Sequence, residues 1–451
     1  MRVVLISTYD LGRQPFGLAS PAAWLRDAGH EVACVDTSRT PLQAEVVQHV
    51  DLVAFHLPMH TATRLALPLM RKVREMNPTA TLVTYGLYSP LNEGLLREAG
   101  ADAVLGVECE QAIVEAATGP APTRRPGGGG RVDGRGPLPR LAFRVPDRTG
   151  LQPVSRYAHL RLPDGSRRAV AYTEASRGCR HWCAHCPVVP VYGGQFRVVP
   201  VEVVMADVAQ QVAQGATHVT FGDADFLNGP RHALAVVEAL ATRFDGLGYD
   251  VTIKVEHLVK HAALIPRLRD TGCVLITSAF EAFDDRILTR LAKGHTRADA
   301  ARAVEACRDA GIALAPTFVA FTPWTTKEGY LGFLSEIARL NLVDQVAPIQ
   351  LALRLLVPQG SLLLEQEDLK GRLGAFDGER LVHPWVHPDP HVDALQRQVE
   401  SIVGGRVHAS RPAVFEEVAR TAASLVPGAA LPQWHLRDRA AVPYLEEPWY
   451  C

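Results

Sequence analysis

Three cysteines stand close together in this sequence, at a spacing suited to metal binding. Cys179, Cys183 and Cys186 form a C-x3-C-x2-C pattern, and an apolar, strand-like run precedes them. Thiolates are soft ligands that favour zinc ions or iron-sulfur clusters. The spacing therefore predicts a metal centre on a loop that follows a strand.

The number of ligands separates the two kinds of metal centre. A structural zinc site takes four ligands, and this sequence has no second C-x2-C pair, although His181 or His185 would serve as a fourth ligand. Three cysteines on a four-iron cluster leave one iron free to bind another molecule. A zinc knuckle thus remains the alternative to an iron-sulfur cluster.

The stretch Ser-Arg-Gly-Cys-Arg-His-Trp-Cys-Ala-His-Cys-Pro, residues 176–187, resembles the cluster loop of the radical S-adenosylmethionine (SAM) superfamily. The resemblance implies that the three cysteines hold a [4Fe-4S] cluster and that the free iron chelates the amino and carboxyl groups of SAM. One electron then cleaves a sulfonium bond. It also implies a small-molecule substrate and an electron donor such as flavodoxin or ferredoxin.

Composition limits the class of protein. A chain of 451 residues with 47% hydrophobic content and a net charge of -1 has material for two or three packed domains. No apolar stretch approaches the roughly 20 residues of a membrane span, and the start of the chain runs directly into a strand pattern, unlike a signal peptide. Eight cysteines in a chain of this length do not indicate a secreted disulfide framework. We expect a cytoplasmic protein without a membrane or nucleic-acid partner.

The first block, residues 1–118, has an α/β pattern. Strands are predicted at 2–7, 31–35, 51–55, 79–84 and 101–105, with helical patterns between them. This alternation predicts a doubly wound parallel sheet whose ligand lies beyond the carboxyl ends of its strands. Residues 119–149 follow and are rich in proline, glycine and arginine, which is typical of an interdomain linker.

The second block, residues 150–360, repeats a strand and a helix. Strands are predicted at 169–173, 217–221, 249–255, 274–277, 313–319 and 346–353. Six such units predict a partial (β/α)6 barrel with its active site at the carboxyl ends of the strands. Residues 361–451 are predicted to be a mainly helical extension, with helices at 392–403 and 412–425.

Polar residues occur within or just after the predicted barrel strands. Lys254 and Glu256 alternate at the end of the third strand, Ser278 and Glu281 follow the fourth, and Arg354 ends the sixth. A charge inside an apolar strand costs several kcal/mol unless it is paired or functional. These residues are candidates for ligand binding, and a buried structural ion-pair network is the alternative.

The resemblance gives these positions roles. Gly222 and Asp223 stand where the superfamily has a Gly-Gly-Glu-like turn that contacts the SAM amino group, with Asp in place of Glu. Glu281 matches an acidic residue that contacts SAM in cobalamin-associated relatives. The cofactor-binding set implied by the resemblance is Gly222, Asp223, Lys254, Glu256, Ser278, Glu281 and Arg354.

The first block resembles the cobalamin-binding domain that precedes many radical SAM cores. The resemblance rests on residues 85–89 and 102–110, which look like the glycine turn and the Gly-Glu-x-Glu-like turn of that domain. The chain lacks the Asp-x-His-x-x-Gly motif that supplies a lower axial histidine to cobalt. Base-off cobalamin does not need this motif, so the resemblance keeps cobalamin as a cofactor. The alternative is a sheet that only packs on the barrel.

A narrower resemblance involves residues 179–197, 252–260 and 322–324, together with the end Glu447-Pro448-Trp449-Tyr450-Cys451. These segments resemble radical SAM proteins named for a Cys-Sec-Ala-Glu-Pro or Cys-Cys-Ala-Glu-Pro tail. Cys451 would then be a catalytic, redox-active or metalloid-binding residue of a tail truncated at a misread UGA codon. The alternative is an unordered terminal thiol.

These observations lead to one expectation and two alternatives. We expect a radical SAM enzyme that reductively cleaves SAM and modifies an unknown small molecule or natural product, with cobalamin-dependent methyl transfer as an extension. The first alternative is transfer of the 3-amino-3-carboxypropyl group of SAM to a soft atom such as arsenic. The second is a non-catalytic sensor that binds zinc or a cluster.

Overall fold

The computed structural model describes residues 1–119, 138–406, 408–434 and 443–446. Cys451, for which a catalytic role is predicted, lies outside these residues. Within them, no helix combines the length and the apolar character needed to cross a membrane.

The N-terminal unit alternates strands and helices as the sequence predicts. Its strands are β1 (Arg2–Ser7), β2 (Glu31–Asp36), β3 (Leu52–His56), β4 (Thr81–Tyr85) and β5 (Ala103–Val104). Its helices are α1 (Phe16–Asp27), α2 (Ala44–Val47), α3 (His60–Met76), α4 (Glu93–Glu98) and α5 (Glu110–Thr118). The predicted α/β class is confirmed.

The strands of this unit form a parallel sheet in the order β2-β1-β3-β4-β5. Side chains of successive residues in β1 enter different cores. Leu5 packs with Leu18 of α1 and Ile113 of α5, whereas Ile6 packs with Met70 of α3. Helices therefore cover both faces, and the carboxyl ends of the strands are left as the edge where a ligand would bind.

Residues 138–149, the end of the predicted linker, are held against both units. Arg148 is buried and pairs with Asp207 at 2.7 Å, and its Nη1 donates to Gln14 Oε1 of the N-terminal unit at 2.5 Å. A buried arginine is stable only when such partners satisfy its charge and donors. This segment thus connects the two units by side chains as well as by the chain.

The second unit contains the elements that carry the cysteine loop. Its strands are β6 (His159–Arg161), β7 (Arg167–Thr173), β8 (Ser176–Gly178), β9 (Phe196–Val198), β10 (His218–Phe221), β11 (Gly248–Thr252), β12 (Cys273–Glu281) and β13 (Ala313–Phe318). Its helices are α6 (Val188–Tyr192), α7 (Val201–Ala213), α8 (Pro230–Arg243), α9 (Val255–Lys260), α10 (Ile265–Asp270), α11 (Asp285–Arg290), α12 (Arg297–Asp309) and α13 (Lys327–Arg339).

The main sheet of this unit is an open barrel. Its order is β13-β12-β11-β10-β7-β6-β14, where β14 is Tyr444–Glu446; the first five strands are parallel, and β6 and β14 are antiparallel to their neighbours. The predicted partial barrel is confirmed, but the sixth parallel strand at 346–353 is wrong. A 3-10 turn, Pro348–Leu351, occupies that segment, and a single bridge joins Phe321 to Arg354. Pro348 has no N–H for a sheet, which favours the turn.

The third barrel strand is shorter than predicted. β11 ends at Thr252, Lys254 stands at the N-cap position of α9, and Glu256 lies in the first turn of that helix. The prediction that Lys254 and Glu256 alternate along a strand is therefore wrong. An acidic residue in the first turn interacts favourably with the helix dipole, so Glu256 stabilises the start of this helix.

The C-terminal region packs on the barrel through two helices, α14 (Pro390–Gly405) and α15 (Arg411–Ser424). Leu395 and Val399 of α14 and Phe415 and Val418 of α15 join the main core of the barrel. The prediction of a mainly helical extension is confirmed for the described residues.

Candidate active site

The cysteine loop runs from β8 to α6 at the carboxyl end of the barrel. Its three thiols form no disulfide. Burial raises the pKa of Cys179 and raises the pKa of Cys186 to about 12, and the charge of a Cys183 thiolate would raise both pKa values further. Three soft ligands that interact this closely suit one shared metal centre, which would bind them as thiolates. The loop therefore has the donor set of an iron-sulfur cluster.

The same loop carries an exposed tryptophan. Trp182, which precedes Cys183, is 52% exposed. It lies over Gly194, where a Cβ atom would stand 2.9 Å from the indole nitrogen, and Gly194 has a φ of +76°. Only glycine meets both conditions without strain, so Gly194 allows the loop to close against the turn before β9.

A carboxylate, an imidazole and an ammonium group lie beside the cysteines. Glu281 ends β12, and its Oε1 accepts from His185 Nε2 at 3.1 Å and from Lys293 Nζ at 3.2 Å. Burial raises the pKa of Glu281, but the charges of Lys293 and His185 outweigh it and hold that pKa well below its usual value. The Lys293 charge also offsets a small part of the rise in the pKa of Cys186 that burial causes. Lys293 thus favours both the carboxylate and a nearby thiolate.

Gly222 and Asp223 support the start of the cysteine loop. A Cβ atom at Gly222 would stand 1.9 Å from the hydroxyl oxygen of Tyr172, so a larger residue does not fit. Asp223 accepts from the Ser176 hydroxyl and, at 2.9 Å, from Ala175 N. Burial raises the pKa of Asp223 to about 7. Asp223 is therefore used to hold β8 in place.

Lys254 and Glu256 belong to a second polar group at the carboxyl ends of β10 and β11. Lys254 Nζ donates to Glu256 Oε2 at 2.8 Å and to His181 Nδ1 at 3.0 Å. On the other side of the His181 ring, Nε2 lies 3.3 Å from Asp225 Oδ2, and His257 Nδ1 lies 2.7 Å from the same oxygen. Burial raises the pKa of Asp225, but the two imidazoles outweigh it and lower the pKa to about 2.

The remaining predicted site residues differ in position. Ser278 is fully buried on β12, and its hydroxyl has no hydrogen-bond partner among the described residues. Arg354 donates to Asp393 Oδ1 and to the Trp385 carbonyl, each at 2.6 Å, and its guanidinium lies 3.4 Å from the centre of the Trp385 ring. Ser278 thus offers a free polar atom, whereas Arg354 is engaged by the C-terminal region.

A cavity of about 240 Å³ lies between the two units, and we call it the interunit cavity. Its lining includes Gly86 and Glu108 of the N-terminal unit and Tyr172, Arg177 and Gly222 of the barrel. The carboxyl ends of the N-terminal strands face it, as expected for a doubly wound sheet.

Ion pairs to Arg177 cross the interunit cavity. Its guanidinium donates to Glu110 Oε1 at 2.8 Å and to Glu174 Oε2 at 2.9 Å, and it lies 3.6 Å from Glu108 Oε2. Burial raises the pKa of Glu174 to about 7. His56 also lines the cavity, and burial lowers its pKa to about 4, so its ring is neutral. Three carboxyl groups share one arginine here.

Residues 173–326 match the sequence profile of the radical SAM superfamily. The similarity to this superfamily covers about a third of the chain. Radical SAM domains bind a [4Fe-4S] cluster and SAM, and the matched residues include the cysteine loop, Glu281 and Lys293.

A curated relative and two solved structures extend this result. The chain is 23% identical over 332 residues to the hopanoid C-3 methylase of Methylococcus capsulatus (strain Bath), which covers 69% of this chain and 62% of that protein. The chain therefore spans about three fifths of the length of this relative. OxsB, a cobalamin-dependent SAM radical enzyme solved with aqua-cobalamin, matches with a TM-score of 0.68 and 12% identity over 90% of this chain and 67% of its own.

The second structure is TsrM from Kitasatospora setae, a radical SAM methyltransferase solved with cobalamin and a [4Fe-4S] cluster. It matches with a TM-score of 0.64 and 14% identity over 93% of this chain and 99% of its own. At these identities the solved structures establish the two-unit fold. The predicted combination of a doubly wound sheet with a partial radical SAM barrel is confirmed.

Sequence reasoning missed several residues of the site. Lys293 has no role in the sequence analysis, and His257 lies within the segment 252–260 without a role of its own. The helix α9 brings His257 against Asp225, and the turn after α11 returns Lys293 to Glu281. Local spacing does not encode either contact.

Proposed function

We propose that this protein is a radical SAM enzyme that binds a [4Fe-4S] cluster at Cys179, Cys183 and Cys186 and modifies a small molecule. The three free thiols on one loop, within the segment that matches the radical SAM superfamily, carry this proposal. When bound, the cluster supplies the electron that cleaves SAM to methionine and a 5'-deoxyadenosyl radical. A reduced flavodoxin or ferredoxin is the proposed donor, and a reducing, cytoplasmic compartment the proposed location.

The proposed SAM site is built from the residues expected from the resemblance, some of which would contact SAM and others of which would hold the site in place: Gly222, Asp223, Lys254, Glu256, Ser278, Glu281 and Arg354. Two observations support it. Ser278 has a buried hydroxyl without a partner among the described residues. A hydrogen bond between this hydroxyl and a ligand would remove the cost of the unsatisfied polar group and so favour binding. Glu281 is held ionised next to the cysteines and would accept from an ammonium group. We assign Asp223 and Arg354 positioning roles, because their polar atoms already have protein partners.

The interunit cavity, of about 240 Å³, lies at the carboxyl ends of the N-terminal strands, the edge at which a doubly wound sheet binds its ligand. Cobalamin is larger than the drug-sized ligands whose sites measure roughly 300–1,000 Å³, so cobalamin-dependent methyl transfer would require this cavity to widen. We keep it as an extension of the proposal because OxsB and TsrM, which share the fold, bind cobalamin.

The tail and the domain boundaries are also proposals. We infer domains at 1–118, 150–360 and 361–451, with a linker at 119–149. We infer that Cys451 begins a redox-active tail, as in the radical SAM proteins with a Cys-Sec-Ala-Glu-Pro end. Reading the gene beyond codon 451 tests this tail: a UGA followed by Ala-Glu-Pro codons supports it, and a UAA or UAG stop contradicts it.

The decisive experiment is anaerobic reconstitution with iron and sulfide, reduction in the presence of SAM, and identification of the nucleoside products. We expect 5'-deoxyadenosine, formed only in the reduced, cluster-loaded sample. Methylthioadenosine would instead indicate carboxypropyl transfer to a soft atom such as arsenic. An intact cluster that yields neither nucleoside would favour a non-catalytic sensor. Repeating the assay with hydroxocobalamin, and testing whether cobalt co-elutes with the protein, separates cobalamin binding from SAM cleavage.

A further inference from the structure

Three potential metal-ligating atoms converge beside the cysteine loop. His181 Nε2, Asp225 Oδ2 and His257 Nδ1 all lie within 4.8 Å of one another. His181 belongs to the cysteine loop, Asp225 follows β10, and His257 lies on α9 after β11. Three separate segments of the barrel thus contribute one atom each to a single point.

All three atoms are buried and lack a hydrogen-bond partner among the described residues. Asp225 is 1% exposed and His257 is 8% exposed. The contacts of 2.7 and 3.3 Å between them are close but do not have the alignment of hydrogen bonds. A buried polar atom without a bond costs about 1–3 kcal/mol, so three such atoms facing one another point to a group that is bound between them.

The separations are close to those in a metal centre. Nitrogen and oxygen ligands lie about 2.0–2.2 Å from zinc, which places tetrahedral neighbours about 3.3 Å apart. Asp225 Oδ2 lies 3.3 Å from His181 Nε2 and 2.7 Å from His257 Nδ1, and small side-chain movements would bring both distances to that value. An ion between these atoms would also remove the contact of two imidazole nitrogens with one oxygen.

Neighbouring groups orient the three side chains. The other oxygen of the carboxylate, Asp225 Oδ1, accepts from Leu227 N at 3.2 Å and from Lys254 N at 3.5 Å, which leaves Oδ2 turned toward the histidines. The far nitrogen of His181, Nδ1, lies 3.0 Å from Lys254 Nζ and 3.6 Å from Glu256 Oε2. Metal binding through Nε2 requires the proton on Nδ1, so Glu256 Oε2 would accept that proton and Lys254 Nζ would turn from the ring while it keeps its bond to Glu256. Carboxylates that hold a ligating histidine in this way are a regular part of metal sites.

We propose that His181, Asp225 and His257 bind a divalent transition-metal ion, separate from the cluster held by the cysteines. Two imidazoles and one carboxylate suit zinc and iron(II), and three protein ligands leave a position for water or for an oxygen atom of the substrate. The proposal stands on the geometry of these residues and does not depend on the proposed SAM chemistry.

Zinc is the probe that tests this site, because it is distinguishable from the iron of the cluster. Full-length, cluster-loaded protein is equilibrated anaerobically with zinc and desalted, and zinc is then measured by mass spectrometry and by X-ray absorption at the zinc edge. We expect about one zinc per chain with nitrogen and oxygen ligands only. The variant His257→Gln should weaken zinc binding more than about 100-fold, because loss of an outer-shell group alone costs 10–100-fold.

The matched control is His261→Gln, whose ring lies 5.4 Å from that of His257 but contributes no atom to the site. It should keep the zinc, and both variants should keep the iron content of the cluster. If His257→Gln fails to fold, the nearly isosteric Asp225→Asn replaces it. Absence of zinc from the wild type, sulfur among the zinc ligands, or zinc retained in both His257→Gln and Asp225→Asn would each overturn the proposal.

Discussion

The carboxyl end of the barrel and the interunit cavity differ in how many cationic partners their buried carboxyl groups have. Around the cysteine loop two carboxylates each have an ammonium partner of their own: Glu281 pairs with Lys293, and Glu256 pairs with Lys254. In the interunit cavity three carboxyl groups, those of Glu108, Glu110 and Glu174, converge on one arginine.

This difference separates a site that receives a ligand from an interface that holds two units together. The pairing of Glu281 and Glu256 with lysines leaves the thiols and the Ser278 hydroxyl available for ligands. The interunit cavity has surplus negative charge, which the proton on Glu174 reduces because burial raises its pKa to about 7. Changes near the cysteines should therefore alter cofactor content, whereas changes in the interunit cavity should alter stability.

The largest effect is expected from Cys183→Ala. Loss of one of the three thiols removes a cluster ligand, so iron content and 5'-deoxyadenosine formation should fall more than about 100-fold. Iron analysis and nucleoside chromatography measure both. The control is Cys34→Ala on β2 of the N-terminal unit, which should keep both. If Cys183→Ala kept its iron and still formed 5'-deoxyadenosine, the cysteine loop would not be the region that determines cofactor content.

Lys293→Met should have the next largest effect. It leaves Glu281 as a buried carboxylate without its ammonium partner, which costs about 3–5 kcal/mol of unfolding free energy. Chemical denaturation followed by circular dichroism measures the loss, and Lys293→Met combined with Glu281→Gln should recover much of it. The exposed pair Arg243–Glu202 is the control, and Arg243→Met should change stability little. An equal effect of the two single variants would contradict a charge-balanced site.

Gly222→Ala tests the interunit cavity by steric means. The added methyl group would overlap Tyr172, and such overpacking costs about 1–3 kcal/mol. Thermal unfolding of the cluster-free protein measures it without interference from the cofactor. Gly94→Ala in α4 is the control, since no atom lies within 4 Å of its added Cβ, and alanine there should stabilise by up to about 1 kcal/mol. Equal melting temperatures for the two variants would show that Tyr172 moves at little cost and that the cavity wall accommodates the added methyl group.

The smallest effect is the pH dependence of Glu174. Its pKa is higher in the folded state than in the unfolded chain, so the folded state binds the extra proton. The corresponding stability is fully present below about pH 4.5 and is lost as the pH rises through about 7. Denaturation at a series of pH values should show a weaker decline in Glu174→Gln than in the wild type. Parallel curves for the two proteins would exclude Glu174 as the group that holds the proton.

The sequence was most informative where function depends on neighbours in the chain. Cys179, Cys183 and Cys186 lie within eight residues, and the strand that precedes them has a clear apolar run. Spacing alone therefore predicted the donor set. The five N-terminal strands were predicted for the same reason, because each carries its own β-branched pattern.

The rest depends on contacts that local patterns do not contain. A short run such as 249–255 is ambiguous between strand and helix, and Lys254 proved to be the cap of α9. The segment 346–353 looks like a strand until Pro348 is considered. His257 and Asp225 meet only because two adjacent parallel strands end at the same edge, so their convergence appears only in three dimensions.

Trp182 offers a practical consequence of the cysteine loop. Its indole precedes Cys183 and is half exposed, so its emission should be quenched by iron as the loop takes up metal. Cluster assembly in this protein should thus be visible in real time as a loss of intrinsic fluorescence. The variant Trp182→Phe would report the fluorescence of the other tryptophans alone, and its difference from the wild type would give the signal of Trp182.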